Sequence, residues 1–159
     1  MRLEDDFIVG ILENTDIFGD LTVETLRELG SLFDEKIFNS GEIIFEENNI
    51  GNSMMVITSG EVRVSQDTDS EGEEALIILK KGDLFGEMAL LEDLPRTANV
   101  IAHTNVILLE INREKFLSFL NSHSDAGIKI LLKLSRILSS RLRETDTKLK
   151  AFISLTKWL

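Results

Sequence analysis

The sequence predicts an α+β fold, in which an antiparallel β jelly-roll or barrel lies between N-terminal helices and one long C-terminal helix. Between residues 40 and 111, short apolar segments separated by glycine-containing turns recur about every ten residues, as in sandwiches and barrels. On both sides of this region, apolar residues recur at helical intervals. The chain of 159 residues therefore divides into an N-terminal helical segment (1–39), a β-roll (40–121) and a long helix (122–159).

The N-terminal segment carries leucines at three- to five-residue intervals, which indicates amphipathic helix. Thr22 is expected to cap such a helix, because its hydroxyl can accept from a free backbone N–H. Glu24 then lies in the first turn, where the helix dipole favours a carboxylate.

Six apolar segments predict the strands of the β-roll. They are Ile43–Phe45, Met54–Ile57, Val62–Val64, Ala75–Leu79, Val100–Ala102 and Val106–Ile111. The alternation of apolar and polar residues over 62–65 predicts a sheet with one solvent-facing side. Glu87–Leu91, a run of good helix formers, predicts one short helix within the roll.

The C-terminal region predicts a short helix and then a long one. Asn112 is expected to cap the short helix, and Ser122–Asp125 has the pattern of a capping box that opens the long helix. The long helix carries an apolar stripe that approximates a heptad seam, which indicates a core face or a dimer contact. The stripe consists of Ile128, Leu131, Leu134, Leu138, Leu142, Leu149 and Phe152, with Thr145 interrupting it.

Composition excludes several kinds of function. The chain contains no Cys, so disulfides, thiol catalysis and Cys-based zinc sites are excluded, and its two isolated histidines disfavour a His-based metal site. Residues 1–75 hold 4 basic and 19 acidic side chains, which disfavours nucleic-acid binding, whereas residues 126–159 hold 8 basic and 2 acidic ones. Since neither a secretory signal nor an apolar spanning segment is evident, we expect a cytoplasmic location and no membrane insertion.

The segment Phe85–Val100 has the residue types of an anion site. Gly86 permits close approach of the backbone, and the free N–H groups at the start of a helical turn suit a phosphate. Arg96 offers a planar fork that matches two phosphate oxygens, and Thr97 adds a hydroxyl donor. An ionised Glu87 only accepts hydrogen bonds, which suits a ribose hydroxyl.

This segment, with the pattern Gly-Glu-x-Ala-Leu…Pro-Arg-x-Ala, resembles the phosphate-binding cassette of cyclic-nucleotide-binding domains. It is similar to the ligand-binding half of bacterial catabolite activator proteins and to the cyclic-nucleotide domains of kinases and channels. The likeness extends from Ile11 to about Phe152 and includes the spaced glycines of Ser40–Phe45 and Ser59–Val64. It implies a non-catalytic sensor whose ligand is cAMP, with cGMP as the alternative and no metal.

The resemblance also implies a role for each matching position. Gly86 and Ala89 would donate backbone N–H groups to the cyclic phosphate, Glu87 would accept from the ribose 2′-hydroxyl, and Arg96 would pair with the equatorial oxygens. The complete candidate set is Val64, Leu76, Phe85, Gly86, Glu87, Met88, Ala89, Arg96, Thr97, Ala98, Arg141, Thr145 and Asp146. Within it, Val64, Leu76 and Phe85 would form apolar walls, and Arg141 and Thr145 would reach the ligand from the long helix.

The choice of base depends on two positions. Asp146 stands where the family often has Ser, and its carboxylate can accept from adenine N6 or from two guanine N–H groups. The hydroxyl of Thr97 can reach a guanine amino group. Both features favour cGMP, whereas cAMP is ranked first because it is the more frequent ligand in the family.

Three alternatives accompany the sensor hypothesis. The chain ends at Leu159, where activator proteins begin their helix-turn-helix, so we expect a sensor without its own DNA-binding domain. The alternative is the ligand-binding part of such a regulator, with its helix-turn-helix missing from this chain. A cupin-type enzyme is disfavoured by the isolated histidines, and a scaffold that has lost its ligand by the intact cassette. The expected partners are a second copy bound through the C-terminal helix and an unknown effector protein, with no direct nucleic-acid contact.

Overall fold

The molecule is built from two antiparallel sheets with helices at both ends of the chain. The computed structural model describes residues 4–68 and 72–157, and the side chains of residues 67–76 lie outside this description. The helices are α1 (Asp5–Glu13), α2 (Val23–Gly30), α3 (Met88–Leu91), α4 (Arg113–Ser122) and α5 (Ser124–Thr156). The strands are β1 (Asp34–Phe38), β2 (Ile43–Phe45), β3 (Ser53–Ser59), β4 (Val62–Thr68), β5 (Gly72–Leu79), β6 (Leu84–Phe85), β7 (Asn99–Ala102) and β8 (Val106–Asn112).

Each sheet contains four strands, in the orders β1-β8-β3-β6 and β2-β7-β4-β5. The strand pairs are antiparallel, and apolar side chains from both sheets meet in a shared core. The predicted α+β fold with an antiparallel jelly-roll is therefore confirmed. The described strands form two separate sheets rather than a closed barrel.

The strand β3 contributes side chains to two separate hydrophobic cores, one on each face of its sheet. Met54 and Val56 face the helices, whereas Met55 and Ile57 face the second sheet. Its neighbour β8 divides its side chains in the same way, because successive residues of a strand point to opposite faces. Burial on both faces explains why β3 is a continuous apolar run in the sequence.

The predicted strands all lie within observed ones, but two strands were not predicted. The N-terminal helices end at Gly30, and Asp34–Phe38 form β1 instead of the helix expected as far as residue 39. This strand pairs with β8 in the register Asp34↔Glu110 to Phe38↔Val106, and tertiary pairing overrides its charged, weakly apolar sequence. The second is β6, two residues long, which pairs with β3 immediately before Gly86.

The predicted helix caps gave two correct results and one error. Thr22 accepts from Thr25 N at 3.3 Å, and Asn112 accepts from Lys115 N at 2.8 Å, as expected. The capping box at 122–125 is wrong. Ser122 is the last residue of α4, and its Oγ donates to Ser118 O at 3.0 Å. The N-cap position of α5 is taken by His123, which makes no side-chain cap.

Only the first part of α5 buries side chains against the rest of the described chain. Its buried residues are Ala126, Gly127, Ile130 and Leu134. From residue 139 to residue 157 every described side chain is exposed, including Leu142, Leu149 and Phe152 of the predicted stripe. Across the described residues, no helix combines the length and the apolar character that crossing a membrane requires.

Candidate ligand-binding site

A cavity of about 480 Å³ lies between the second sheet, α3 and α5. This volume falls in the range of small-molecule pockets. Its walls are mainly apolar, from β2, β4, β5, β6 and β7, whereas its polar groups come from the segment that precedes β7 and from α5. Among these polar groups, Arg96 supplies the positive charge that an anion requires, and Glu87 supplies a hydrogen-bond acceptor.

Arg96 is a buried cation with incomplete hydrogen bonding. Its residue is 8% exposed, and its Cζ lies 4.0 Å from the centroid of the Phe45 ring. Nη1 donates to Gly86 O and Nη2 to Ser53 Oγ, both at the long distance of 3.4 Å, and the buried Nε has no partner among the described atoms. Burial lowers the pKa of the guanidinium, and the carboxylates of Glu110 and Glu87 oppose that change.

Two glycines make room for this guanidinium. Gly86 has a φ of +79°, a conformation that other residues rarely adopt, and a Cβ there would lie 2.7 Å from Arg96 Nη1. A Cβ on Gly51 would lie 2.0 Å from Arg96 Nε. Glycine is therefore required sterically on two sides of Arg96.

The carboxylate of Glu87 forms an ion pair with Arg141 of the long helix α5. Glu87 is 3% exposed, whereas the side chain of Arg141 remains 53% exposed. The carboxylate of Glu87 does not cap α3, although Glu87 stands at the N-cap position. The cavity is thus bounded by an ion pair that joins α5 to the segment before α3.

The backbone around α3 is also paired within the chain. Ala89 N donates to Gly86 O at 3.1 Å, and Leu90 N donates to Glu87 O at 3.1 Å. The N–H group of Ala89, which the resemblance assigns to a phosphate, therefore already has a partner in this conformation.

Most of the candidate residues come together around this one cavity. Those on its wall are Val64, Phe85, Gly86, Glu87, Met88, Ala89, Arg96, Thr97, Ala98 and Arg141. Thr145 and Asp146 are exposed on α5 and do not line the cavity, and Thr145 Oγ1 donates to Arg141 O at 2.9 Å. Leu76 belongs to β5, but its side chain lies outside the described residues.

Several residues of the site were not predicted. Phe45, Ile77, Leu79, Leu84, Glu92, Leu94, Pro95 and Val100 also line the cavity, and Ser53 contacts Arg96 from the opposite side. Phe45 ends the segment Ser40–Phe45, one of the two glycine-containing segments that carry the family resemblance. Its aromatic ring could therefore have been predicted as part of the site. Ser53 carried no such signal, because its contact with Arg96 depends on the pairing of distant strands.

Comparison with known proteins identifies the family. The sequence model of the cyclic nucleotide-binding domain matches residues 35–123, more than half of the chain. The chain belongs to the cyclic nucleotide-binding domain family. The match includes both sheets from β1 onward, the cavity segment and α4.

Relatives of this domain include kinases and a bacterial receptor. A cGMP-dependent protein kinase of Caenorhabditis briggsae is 38% identical over 111 residues, which cover 69% of this chain and 15% of the kinase. The cyclic AMP receptor protein of Thermus thermophilus is 29% identical over 138 residues, which cover 87% of this chain and 62% of that protein. The chain therefore spans less than two thirds of the length of either relative.

Solved structures agree with the fold. The catabolite activator protein of Thermus thermophilus superposes with a TM-score of 0.79 at 29% identity, over 87% of this chain and 63% of that one. The regulatory domain of Toxoplasma gondii PKA, solved with cAMP, gives a TM-score of 0.68 at 27% identity, over 75% of this chain and 46% of that one. The cyclic nucleotide-binding domain is a regulatory fold that occurs in both kinases and bacterial receptors.

Proposed function

We propose that this domain is a non-catalytic sensor that binds cAMP, with the cyclic phosphate on Arg96 and the ribose on Glu87. The observation that carries the proposal is the buried guanidinium of Arg96 beside a cavity of about 480 Å³. A buried cation without full hydrogen bonding is costly, and a phosphate supplies both charge and acceptors. The ligand therefore satisfies groups that the chain by itself leaves incompletely paired.

The ribose site is supported by the burial of Glu87. Its carboxylate is an acceptor on the wall of the same cavity, and its partner Arg141 comes from a helix that is exposed at this level. A ribose 2′-hydroxyl can donate to that carboxylate in competition with Arg141. Ligand binding would then change the contact between α5 and the β-roll, and so couple occupancy to the position of α5.

The preference for cAMP over cGMP rests on the frequency of cAMP as the ligand in the family, and two residues of the chain weigh on it. Of the two residues that favour guanine, Thr97 lines the cavity and Asp146 does not. The cGMP alternative keeps the support of Thr97, whose carbonyl accepts from Gln66 Nε2 at 2.9 Å. Names of relatives support both nucleotides, since they include a cyclic AMP receptor protein and cGMP-dependent kinases.

We also propose that two copies associate through α5. Leu142 and Leu149 are seven residues apart and exposed by 62% and 54%, and Phe152 follows three residues later at 65%. This is the spacing of a coiled-coil seam. In a parallel seam with Leu142 and Leu149 at positions a, Arg141 is at g and Asp146 at e, so these opposite charges would face each other across the two copies.

Calorimetric titration with cAMP and cGMP tests the proposed ligand. We expect saturable binding of one nucleotide per chain, tighter for cAMP, and a loss of about 2–5 kcal/mol of binding free energy in Arg96→Ala, since a desolvated charge pair is removed. Arg27→Ala, which removes an exposed Arg paired with Asp6, is the matched control and should bind like the unaltered chain. Unchanged affinity in Arg96→Ala would contradict the assignment of the phosphate site.

A further inference from the structure

Arg96 is linked to a second carboxylate, Glu110, through the hydroxyl of Ser53. Its Nη2 lies 3.4 Å from Ser53 Oγ, and that hydroxyl donates to Glu110 Oε1 at 2.7 Å. Ser53 is 5% exposed, so this link lies in the interior. A guanidinium, a hydroxyl and a carboxylate thus form one connected chain across β3 and β8.

The other oxygen of Glu110 faces a lysine on the edge strand. Lys36 Nζ lies 3.6 Å from Glu110 Oε2, and the side chains of Lys36 and Glu110 are 48% and 25% exposed. The strands β1, β8 and β3 are adjacent, and Lys36 and Ser53 are diagonal neighbours of Glu110, two residues from the positions directly opposite it. Glu110 therefore contacts the half-exposed Lys36 directly and the buried Arg96 through Ser53.

Glu110 also has an electrostatic effect on Arg96. Burial lowers the pKa of the Arg96 guanidinium, and among the opposing carboxylates Glu110 contributes more than Glu87. Glu87 has Arg141 as its own ion-pair partner. Glu110, linked to Arg96 through Ser53, is thus a negative charge that stabilises the buried cation when the cavity holds no anion.

We propose that Glu110 is a positioning residue that holds Arg96 on Ser53 in the ligand-free domain and competes with the ligand phosphate for that guanidinium. The inference rests on the proposed function, in which Arg96 binds the cyclic phosphate. The Glu110 carboxylate competes with the ligand phosphate for Arg96 and also repels that phosphate, and both effects lower the affinity for the nucleotide. The charge of Glu110 therefore lowers affinity for the nucleotide while it stabilises the empty site.

The first test is Glu110→Gln, which keeps an acceptor for Ser53 and removes the charge. We expect calorimetry to show cAMP binding about fivefold tighter than in the unaltered chain, the scale of a charge interaction in a partly screened site. Glu61→Gln is the control, because it changes the net charge equally at a surface carboxylate that pairs with Lys80. Affinity that is unchanged or weaker in Glu110→Gln would overturn the proposal, and so would an equal gain in Glu61→Gln.

A second variant keeps the test valid if Glu110→Gln does not fold. Lys36→Met removes the cation that offsets Glu110 from the surface side, so the carboxylate acts more strongly on Arg96. We expect cAMP affinity to fall about twofold, and more than in Lys80→Met, the matched loss of the surface lysine that pairs with Glu61. Equal affinities in the two lysine variants would count against a role for Glu110.

A stability measurement separates this proposal from the proposed function. In a double-mutant cycle by urea denaturation, Glu110→Gln should destabilise the ligand-free chain less when Arg96 is already Met, because the interacting cation is absent. Strictly additive effects would refute the coupling of Glu110 to Arg96. If the cycle shows coupling but the unaltered chain binds neither cAMP nor cGMP, the proposed function fails and the competition with a ligand fails with it, while the coupling stands.

Discussion

At the scale of single residues, the guanidinium of Arg96 fits its site because two neighbouring residues are glycines without side chains. The guanidinium lies 4.0 Å from the Phe45 ring centroid on one face, and Gly51 and Gly86 approach it without side chains. A side chain at either glycine would occupy the position of the guanidinium itself. Packing, together with a few long hydrogen bonds, therefore keeps the cation in place beside the cavity.

Gly51→Ala should destabilise the chain. Its new Cβ would lie 2.0 Å from Arg96 Nε and 2.2 Å from Cζ, so the buried guanidinium would have to leave its contacts with Gly86 and Ser53. We expect a loss of about 1–3 kcal/mol in the free energy of unfolding, the usual cost of overpacking. Urea denaturation measures this loss directly.

A second glycine provides the control. Gly10 lies within α1, and a Cβ there would meet nothing within 4 Å. Gly10→Ala should therefore stabilise the chain by about 0.5–1 kcal/mol, because Ala loses less backbone entropy in a helix. A Gly51→Ala chain as stable as the unaltered one, or stabilised as Gly10→Ala is expected to be, would contradict the steric role of Gly51.

The residues of the site that could be predicted are those close together in sequence. Glu87 and Arg96 belong to one local pattern, so their chemistry was visible before the fold was known. Ser53 and Glu110 are separated by 57 residues, and they meet because β3 pairs with β8. Their contact depends on strand register, which no local pattern specifies.

At the scale of elements, polar side chains in and just before α5 contact the rest of the chain at several points. Near its start, His123 Nε2 lies 2.7 Å from Glu28 Oε2, and Lys133 pairs with Asp20 at 3.2 Å. Further along, Arg141 pairs with Glu87 on the cavity wall. The first contacts join α5 to the N-terminal helical segment, whereas the last joins it to the candidate ligand site.

Arg141→Met should destabilise the ligand-free chain by leaving the buried Glu87 carboxylate without its partner. We expect a loss of about 1–3 kcal/mol in the free energy of unfolding, the cost of an unsatisfied buried acceptor. Glu87→Gln in the same background should recover part of it, because a neutral amide costs less to bury than a carboxylate. Denaturation of the single and double variants gives both values.

The control for this prediction is Arg27→Met, which removes an exposed Arg whose partner Asp6 is 87% exposed. Its effect should stay within about 0.5 kcal/mol, as for most surface substitutions. A loss in Arg141→Met no larger than that of Arg27→Met would show that the contact between α5 and the site contributes nothing to stability.

Helices and strands with strong periodic patterns could be predicted from the sequence. Strands that depend on pairing with a distant strand could not. The six apolar segments became strands, because alternate or continuous apolar residues match a buried sheet. Asp34–Phe38 contains three charged residues and becomes a strand by pairing with the edge of β8. The Ser122 cap was misread because α4 extends through the residue expected to precede α5.

At the scale of the whole molecule, the two halves of α5 differ in how far they bury apolar side chains. The first half of α5 buries Ala126, Ile130 and Leu134 in the helical core. In its second half, Leu142, Leu149, Phe152 and Leu155 are each more than half exposed. Exposed apolar residues at heptad spacing are typical of a surface that binds another helix.

Association through this surface predicts that one charge placed in the seam dissociates the dimer. Leu149→Glu should convert a dimer to a monomer in light scattering, because a desolvated carboxylate opposes its symmetry-related copy. Thr147→Glu adds the same charge on the opposite face of α5, two residues away, and should remain dimeric. Since residue 149 is already 54% exposed in the single chain, neither substitution disturbs the fold, and circular dichroism should be unchanged. A monomeric unaltered chain, or a dimeric Leu149→Glu, would show that α5 is not the contact between copies.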